Sequence, residues 1–239
     1  MGLFKKNKKK KLNDDSSKYG VNLVAQMYPT SAVSEQFRTV MTNIAFTNIG
    51  GGVKSIMITS ADPSEGKSTF SANLAITYAK QGRNVVLVDG DMRRPTIHKT
   101  FHVSNTTGLS TILSGNSTVE ESVRYTNIDN LNVITSGPIP PNASALLGNH
   151  KIKDILAKYN HENDLVIVDA PPVNTMTDAS IISTSVDGVV MVIPQGIAEK
   201  KREKLAIEQL NKVQANILGA VMNMDKENLD NNYYYYYSK

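Results

Sequence analysis

The residues best suited to chemistry stand between an apolar segment and a helix-forming segment. Residues 62–69 follow Ala61 and read Asp62, Pro63, Ser64, Glu65, Gly66, Lys67, Ser68 and Thr69. They match the phosphate-loop pattern G-x-x-x-x-G-K-[ST], except that Ala61 replaces the first Gly. Unpaired backbone N–H groups at a helix N-terminus attract phosphate. We therefore predict that residues 62–69 bind the phosphates of a nucleotide.

Three residues of this loop have predicted roles. Gly66 lets the backbone curl around a phosphate without a Cβ clash. Lys67 supplies positive charge from what we expect to be an exposed loop. The hydroxyl of Ser68 can bind Mg²⁺, because this ion prefers oxygen ligands. The alternative is an ordinary Gly-Lys-Ser turn that caps a helix, but the preceding apolar segment and the acidic residues downstream argue against it.

Two further apolar segments end in aspartate. Residues 85–89 end in Asp89, with Asp91 two positions later, and residues 165–169 end in Asp169. Apolar residues followed by Asp form the Walker B pattern, in which the Asp holds Mg²⁺ directly or through water. Ligands of open α/β sheets bind at the carboxyl edge of the strands, so we expect these acids to lie near the phosphate loop.

The predicted roles at this edge overlap. The predicted catalytic residues are Lys67, Asp89, Asp91 and Asp169. The predicted metal ligands are Ser68, Asp89 and Asp169. Either Asp89 or Asp91 could orient or deprotonate an incoming hydroxyl, and the sequence does not show which of them does so.

The alternation of strand and helix patterns predicts an α/β fold, a mostly parallel sheet flanked by helices. Strands are predicted at 53–60, 84–89, 131–135, 165–169, 188–193 and 217–223. Helices are predicted at 31–48, 67–81, 144–159, 176–185 and 198–213, with short helical pieces at 109–113 and 119–123. We expect a domain at 29–223, a basic arm and linker at 1–28 and a flexible tail at 224–239.

Charge is concentrated in the arm. The chain has 239 residues and a net charge of +4, while residues 1–20 hold seven Lys and two Asp, or +5, which leaves −1 for the rest. A near-neutral domain argues against nucleic-acid binding. The run Lys5–Lys11 predicts either contact with an anionic membrane or a solvated tail. With 0 Cys, the chain has neither a disulfide nor a thiolate metal site, which fits a reducing cytosol.

Tyrosine is concentrated at the other end of the chain. Half of the 10 Tyr form the run Tyr233, Tyr234, Tyr235, Tyr236 and Tyr237, beside two Asn. Core packing does not explain five consecutive aromatic residues in a polar stretch. Beside a predicted nucleotide site, they are interpreted as phosphate acceptors; the alternative is a low-complexity tail.

Over about residues 27–239, these motifs together resemble the bacterial tyrosine kinases that control capsule and exopolysaccharide synthesis. The resemblance implies a P-loop NTPase fold related to the deviant-Walker, ParA- and MinD-like ATPases. It implies ATP and Mg²⁺ as cofactors, and autophosphorylation of the tail tyrosines by a neighbouring subunit. No apolar run approaches the ~18 residues of a membrane span, so the family's membrane modulator is expected to be a separate protein.

The resemblance also implies partners. These are the cytoplasmic C-terminal segment of the transmembrane modulator, a cognate tyrosine phosphatase and further copies of the chain in a ring. The implied location is cytoplasmic, at the inner face of the membrane through the modulator. The family's contact motif E-x-x-R-x-x-R begins here with Glu35 and Arg38, and Met41 stands in place of its second Arg. The alternative for Glu35 and Arg38 is an exposed i,i+3 ion pair.

Two other functions remain open. One is an ATPase switch that positions plasmids or the division site. Such switches carry a signature Lys where this chain has Asp62, and they lack a tyrosine tail. The other is a nucleotide-binding scaffold without turnover, which the intact Lys67, Ser68 and acids argue against.

Overall fold

The computed structural model describes residues 15–47, 52–148, 151–159 and 161–224. The predicted membrane-binding run Lys5–Lys11 and the predicted acceptors Tyr233–Tyr237 lie outside these residues. Within them, no helix is long and apolar enough to cross a membrane.

Seven strands form one sheet in the described part of the chain. They are β1 (Ser55–Ser60), β2 (Asn84–Asp89), β3 (Val123–Tyr125), β4 (Leu131–Ile134), β5 (Asp164–Asp169), β6 (Gly188–Pro194) and β7 (Ile217–Asn223). Their order across the sheet is β3-β4-β2-β5-β1-β6-β7. Only β3 runs antiparallel to its neighbour. The predicted mostly parallel sheet is confirmed.

Helices of very different length flank this sheet. They are α1 (Ser16–Tyr19), α2 (Val24–Met27), α3 (Ala32–Thr47), α4 (Lys67–Lys80), α5 (Ile97–Thr100), α6 (Leu109–Ser114), α7 (Val119–Ser122), α8 (Ala143–Leu147), α9 (Lys151–Ala157), α10 (Asp178–Ser183) and α11 (Lys200–Lys212).

One helix prediction is wrong, and the strand β3 has no predicted counterpart. The single helix predicted at 144–159 is two helices, α8 and α9, because α8 ends at Leu147 and is followed by Gly148, a residue with low helix propensity. The short antiparallel strand β3 was not predicted, since its three residues at the sheet edge carry almost no alternating pattern. The six predicted strands are all present within a few residues of their expected bounds.

Apolar residues cover both faces of the sheet. Met57, Val88 and Met191 belong to the cluster on one face, and Ile58 and Leu74 to the cluster on the other. Each fully buried Ile, Leu, Val or Met side chain contributes about 1.5–3 kcal/mol. Helix α4 is buried along almost its whole length, including its polar residues. The helix that follows the phosphate loop is therefore anchored in the core.

The segment before α3 packs against the domain. On α4, the buried side chain of Asn73 accepts a hydrogen bond from the Ala25 N–H (2.8 Å) and donates to the Asn22 and Thr69 carbonyls (both 2.8 Å). One carboxamide thus joins residues 15–28 to the helix that carries the phosphate loop. The expected boundary at residue 28 stays a prediction.

The same segment also approaches the backbone of α5 closely, at Gly20 and Val21. Gly20 has φ +81°, and a Cβ there would lie 2.7 Å from the backbone N of Thr100. The Val21 N–H donates to the Thr100 hydroxyl (3.1 Å). Only glycine can adopt this positive φ and fit this close to Thr100 without strain.

We expect Asn73→Ala to lower the free energy of unfolding by about 2 kcal/mol, because it leaves the Ala25 N–H without its acceptor and removes the side-chain hydrogen bonds to the Asn22 and Thr69 carbonyls. Urea unfolding followed by circular dichroism measures the change, and limited proteolysis shows whether residues 15–28 detach. The control Asn211→Ala, at an exposed position of α11, should change stability by less than about 0.5 kcal/mol. Equal stability of the two variants would contradict the bridging role.

Candidate active site

The phosphate loop connects β1 to α4 and has the backbone that such loops need. Gly66 caps α4 in the left-handed region, at φ +92°. A Cβ on Gly66 would lie only 2.0 Å from Nδ2 of Asn223, at the end of β7. That amide donates to the carbonyl of Glu65 (3.0 Å). The left-handed backbone therefore favours glycine here, and any larger residue would also have to displace the Asn223 amide from its hydrogen bond.

Lys67 is buried, so the prediction of an exposed lysine is wrong. Its side chain turns inward from the first residue of α4, with Nζ 3.0 Å from Oδ2 of Asp91 and 3.7 Å from Oδ1 of Asp169. Burial opposes the charge, but the attraction of Asp169 and Asp91 outweighs it and raises the pKa of Lys67. The structure thus brings together three of the four predicted catalytic residues, with the buried Lys67 cation between the carboxylates of Asp91 and Asp169.

The fourth residue, Asp89, lies beside them and supports the loop that follows it. Its Oδ1 accepts from the Asp91 N–H (3.3 Å), and its Oδ2 accepts from the N–H groups of Thr96 (3.1 Å) and Ile97 (3.0 Å). Burial raises the pKa of Asp89, and the charge of Asp169 raises it further. Both carboxylate oxygens are thus engaged by backbone, and the predicted role as a metal ligand stays a prediction.

Asp169 keeps one oxygen free for a ligand. Oδ1 accepts from the Ser71 hydroxyl (3.1 Å), whereas Oδ2 is buried without a hydrogen-bond partner among the described residues. Burial raises the pKa of Asp169, against the attraction of Lys67 and the adjoining Ser68 hydroxyl. A free buried carboxylate oxygen near a hydroxyl fits the predicted Mg²⁺ site.

Acidic residues alone do not build a metal site in the described ranges, where no group of three or more His, Cys, Asp or Glu side chains is placed to hold an ion. Magnesium at this position would thus depend on the Ser68 hydroxyl, Asp169 and ligands from outside the protein. Phosphate oxygens and water are the ligands that Mg²⁺ ordinarily keeps at such sites.

A cleft of about 350 Å³ opens beside the loop. Its wall includes Gly66, Lys67, Asp91 and Arg93, and Ser17 and Met224 border it. This volume lies in the range of small-molecule sites. The N-terminal segment and the first residue after β7 therefore both reach the mouth of the predicted nucleotide site.

Two arginines of this region were missed by the sequence reasoning. Arg202 on α11 forms a bidentate ion pair with Asp62: its Nε donates to Oδ2 (2.8 Å), and a second guanidinium nitrogen donates to Oδ1. Arg93 in the cleft donates through Nε to the buried Asp178 (3.0 Å). Each pair joins residues 85 or more positions apart, so no local pattern indicates it.

The side chain of Glu65 makes a hydrogen bond within the phosphate loop. Its Oε2 accepts from the Asp62 N–H (2.9 Å), and burial raises its pKa to about 7, with the charges of Glu203 and Asp62 adding to the shift. Glu203 on α11 is also buried, and neither of its oxygens has a hydrogen-bond partner in the described ranges. Its pKa is raised as well, first by burial and then by Asp62.

This arrangement predicts a pH effect on stability. The pKa of Glu65 rises from 4.5 to about 7 on folding, so its stabilising contribution is complete below about pH 4.5 and is lost as pH rises through about 7. Glu65→Gln keeps the acceptor but does not titrate. Between pH 5.5 and 8, we expect the variant to gain about 2 kcal/mol relative to the wild type, since about 1.5 pH units separate pH 5.5 from the folded pKa and each unit is worth about 1.4 kcal/mol.

Urea unfolding at pH 5.5 and pH 8 measures this difference. The exposed Glu162→Gln is the matched control and should follow the wild type. If Glu65→Gln and the wild type lose stability in parallel over this range, Glu65 is not the titrating group.

The chain is similar to known P-loop proteins and tyrosine kinases. The ParA family model, described as an NUBPL iron-transfer P-loop NTPase, matches residues 52–236. Tyrosine-protein kinase YwqD of Bacillus subtilis (strain 168) is 43% identical over 218 residues, which cover 91% of this chain and 92% of that protein. The putative tyrosine-protein kinase CapB of Staphylococcus aureus is 40% identical over 211 residues, which cover 88% and 92%.

Solved structures agree with these relatives. The chimerical protein CapA2B2 has a TM-score of 0.78 at 39% identity and covers 89% of this chain and 98% of its own. The kinase domain of the Escherichia coli tyrosine kinase ETK has a TM-score of 0.81 at 33% identity, with coverage of 84% and 79%. MinD of Pyrococcus horikoshii, complexed with Mg-ADP, has a TM-score of 0.61 at 22% identity and shows likeness of fold alone. The chain therefore belongs to the bacterial tyrosine kinase family, on a ParA- and MinD-like P-loop NTPase fold.

Proposed function

We propose that this protein is an ATP-dependent protein-tyrosine autokinase that phosphorylates Tyr233–Tyr237 of a neighbouring copy and thereby regulates capsule or exopolysaccharide synthesis. Its kinase relatives, of which YwqD and CapB match over nine-tenths of their own length, support the activity. The observation that carries the proposal is the buried Lys67, held between Asp91 and Asp169 next to the phosphate loop. Phosphoryl transfer requires mostly positioning and neutralisation of charge, and this group can supply both.

In this proposal, the loop and Lys67 bind the phosphates of ATP. The backbone N–H groups of residues 65–69 surround the N-terminus of α4, where the helix dipole favours an anion. The Lys67 ammonium is protonated at neutral pH because its carboxylate partners outweigh burial. Phosphate oxygens therefore compete with Asp91 and Asp169 for this cation. Bound Mg²⁺, held by Ser68 and Asp169 directly or through water, would offset the phosphates' negative charge.

Asp91 and Asp89 then have different roles. Burial opposes the charge of Asp91, but Lys67 and the backbone N–H of Arg94 (3.0 Å) outweigh it and lower its pKa. Asp91 is thus an ionised acceptor, which can orient the tyrosine hydroxyl and receive its proton. Asp89 is a positioning residue, since its oxygens hold the backbone of residues 91, 96 and 97.

The contact of Asp62 argues against the ATPase-switch alternative. At the position where such switches carry a signature lysine, this chain has a carboxylate engaged by Arg202 of its own α11. An acid at this position supplies no positive charge to a phosphate.

The partners of the enzyme are part of the proposal. We infer an activating transmembrane modulator, a cognate phosphatase and a homo-oligomeric ring, with the kinase held at the inner face of the membrane through the modulator and the run Lys5–Lys11. Glu35 and Arg38, the proposed ring contacts, form an i,i+3 ion pair on α3, and Arg38 also donates to the Pro29 carbonyl (2.5 Å). Their partly exposed side chains leave them accessible to a neighbouring copy.

We expect Lys67→Met to reduce autophosphorylation by more than about 100-fold, because it removes the cation that the phosphates and Asp91 share. Mass spectrometry after incubation with ATP, Mg²⁺ and the modulator segment measures phosphate on the tail. Since the variant leaves buried carboxylates unpaired, circular dichroism must show that it is folded. The exposed Lys204→Met should retain wild-type activity.

Replacing Tyr233–Tyr237 with Phe provides a test that leaves the site unchanged. This variant should bind a fluorescent ATP analogue with Mg²⁺ as the wild type does, but acquire no phosphotyrosine in the tail. Tail phosphate on other residues, or phosphotyrosine that persists, would contradict the assignment of the acceptors.

Transfer between copies is tested by mixing. A Lys67→Met chain with an intact tail is combined with an active chain truncated after residue 224. Residues 225–239 would extend about 50 Å at most, so reach alone permits transfer within a chain or to a neighbour. We expect phosphate on the tail of the Lys67→Met chain. An unphosphorylated tail, beside a wild-type control that is phosphorylated, would show transfer within one chain.

A further inference from the structure

The sheet has an open edge at β7. In the described part of the chain, β7 pairs only with β6, on one side, and α3 contacts it. Strands β1 and β5 are buried at every position, whereas Gly219, Ala220 and Met222 of β7 are exposed, Met222 by 55%. The seven-residue, mainly apolar strand β7 is therefore partly exposed along its length.

The direction of the backbone groups follows from the ladder. The Gln195 N–H donates to the Asn223 carbonyl (2.7 Å), and Val192 pairs with Val221. In a parallel pair, alternate residues bond to the neighbouring strand, so Val221 and Asn223 face β6. Ala220 and Met222 then direct their N–H and C=O groups to the open side. Such a row of unpaired groups is a template for another strand.

The segment that follows β7 has the composition of such a strand. Met224 has φ +61°, a left-handed conformation that is typical of turns and not of strands. Residues 225–230 are polar or charged except for one Leu, as in a loop, and Tyr233–Tyr237 follow. Tyrosine is among the residues that favour strands, whereas the Asp and Asn residues of 225–230 favour turns.

The length of this segment matches the edge. With a loop at 224–230, an antiparallel return strand places residue 231 opposite Asn223 and Tyr237 opposite Ile217. The run Tyr233–Tyr237 then lies along residues 217–221, where Gly219 and Ala220 leave room for aromatic rings. Aromatic residues opposite an edge glycine stabilise a sheet in this way.

We propose that the unphosphorylated tail docks on the β7 edge, residues 217–223, as an antiparallel eighth strand. The acceptor tyrosines are then stored on their own subunit and must leave the edge before they can be phosphorylated. This last step rests on the proposed function. Each phosphate adds about −1.5 to −2 charge, so phosphates on neighbouring tyrosines repel one another and keep the tail off the edge.

Hydrogen exchange of the backbone amides tests the docking without any kinase assay. The full chain, without ATP, is compared with a chain truncated after residue 228. We expect the outward amides of Ala220 and Met222 to exchange at least about 10-fold more slowly in the full chain. The inward amides of Val221 and Asn223 should be protected in both, which makes them internal controls for folding.

A second variant separates docking from the mere presence of a tail. Replacing all five tyrosines with Ser preserves the length but removes the strand preference, and it should exchange at Ala220 and Met222 as the truncated chain does. Equal exchange of Ala220 and Met222 in the full and truncated chains would overturn the proposal. Protection in the truncated chain that grows with protein concentration would assign the edge to a second copy instead.

The phosphorylated full chain tests release. Ala220 and Met222 should then exchange as fast as in the truncated chain, and protection that persists would show that phosphate does not release the tail. A chain that fails to autophosphorylate would contradict the proposed function, while the exchange comparison of unphosphorylated chains would still decide the docking.

Discussion

The site depends on one buried cation that must neutralise several buried carboxylates. Lys67 lies between Asp91 and Asp169, and Asp89 adjoins them with both oxygens bonded to backbone N–H groups. Charges in a protein interior are tolerated only when they are paired or hydrogen-bonded. The parallel arrangement of β2 and β5 creates the need for this pairing, because it aligns Asp89 and Asp169 in register at the carboxyl edge.

Distant parts of the chain converge on the helix and loop that carry this cation. The N-terminal segment is joined to α4 by Asn73, the end of β7 contacts Gly66 through Asn223, and α11 engages the loop through Arg202. These three regions therefore all contact the helix and loop that would hold the phosphates. Ser17 and Met224, near the two ends of the described residues, both border the same cleft.

The fold alone does not separate a kinase from an ATPase switch. MinD shares the architecture at 22% identity, and the same fold can support unrelated functions. Local features make the distinction: the carboxylate of Asp62 occupies the position of a switch's lysine, and a tyrosine cluster follows the last strand.

The sequence by itself determined the order of the main elements and the phosphate loop, because strand burial, helix periodicity and the G-K-S pattern are local. It also placed Asp89 and Asp169 at one edge, since parallel strands carry their ends there. Only the tertiary structure decided that Lys67 is buried, that α8 and α9 are separate, and that Arg202 engages Asp62 from 140 positions away. Those features depend on which surfaces meet in the folded chain, and no local pattern of residues specifies such a meeting.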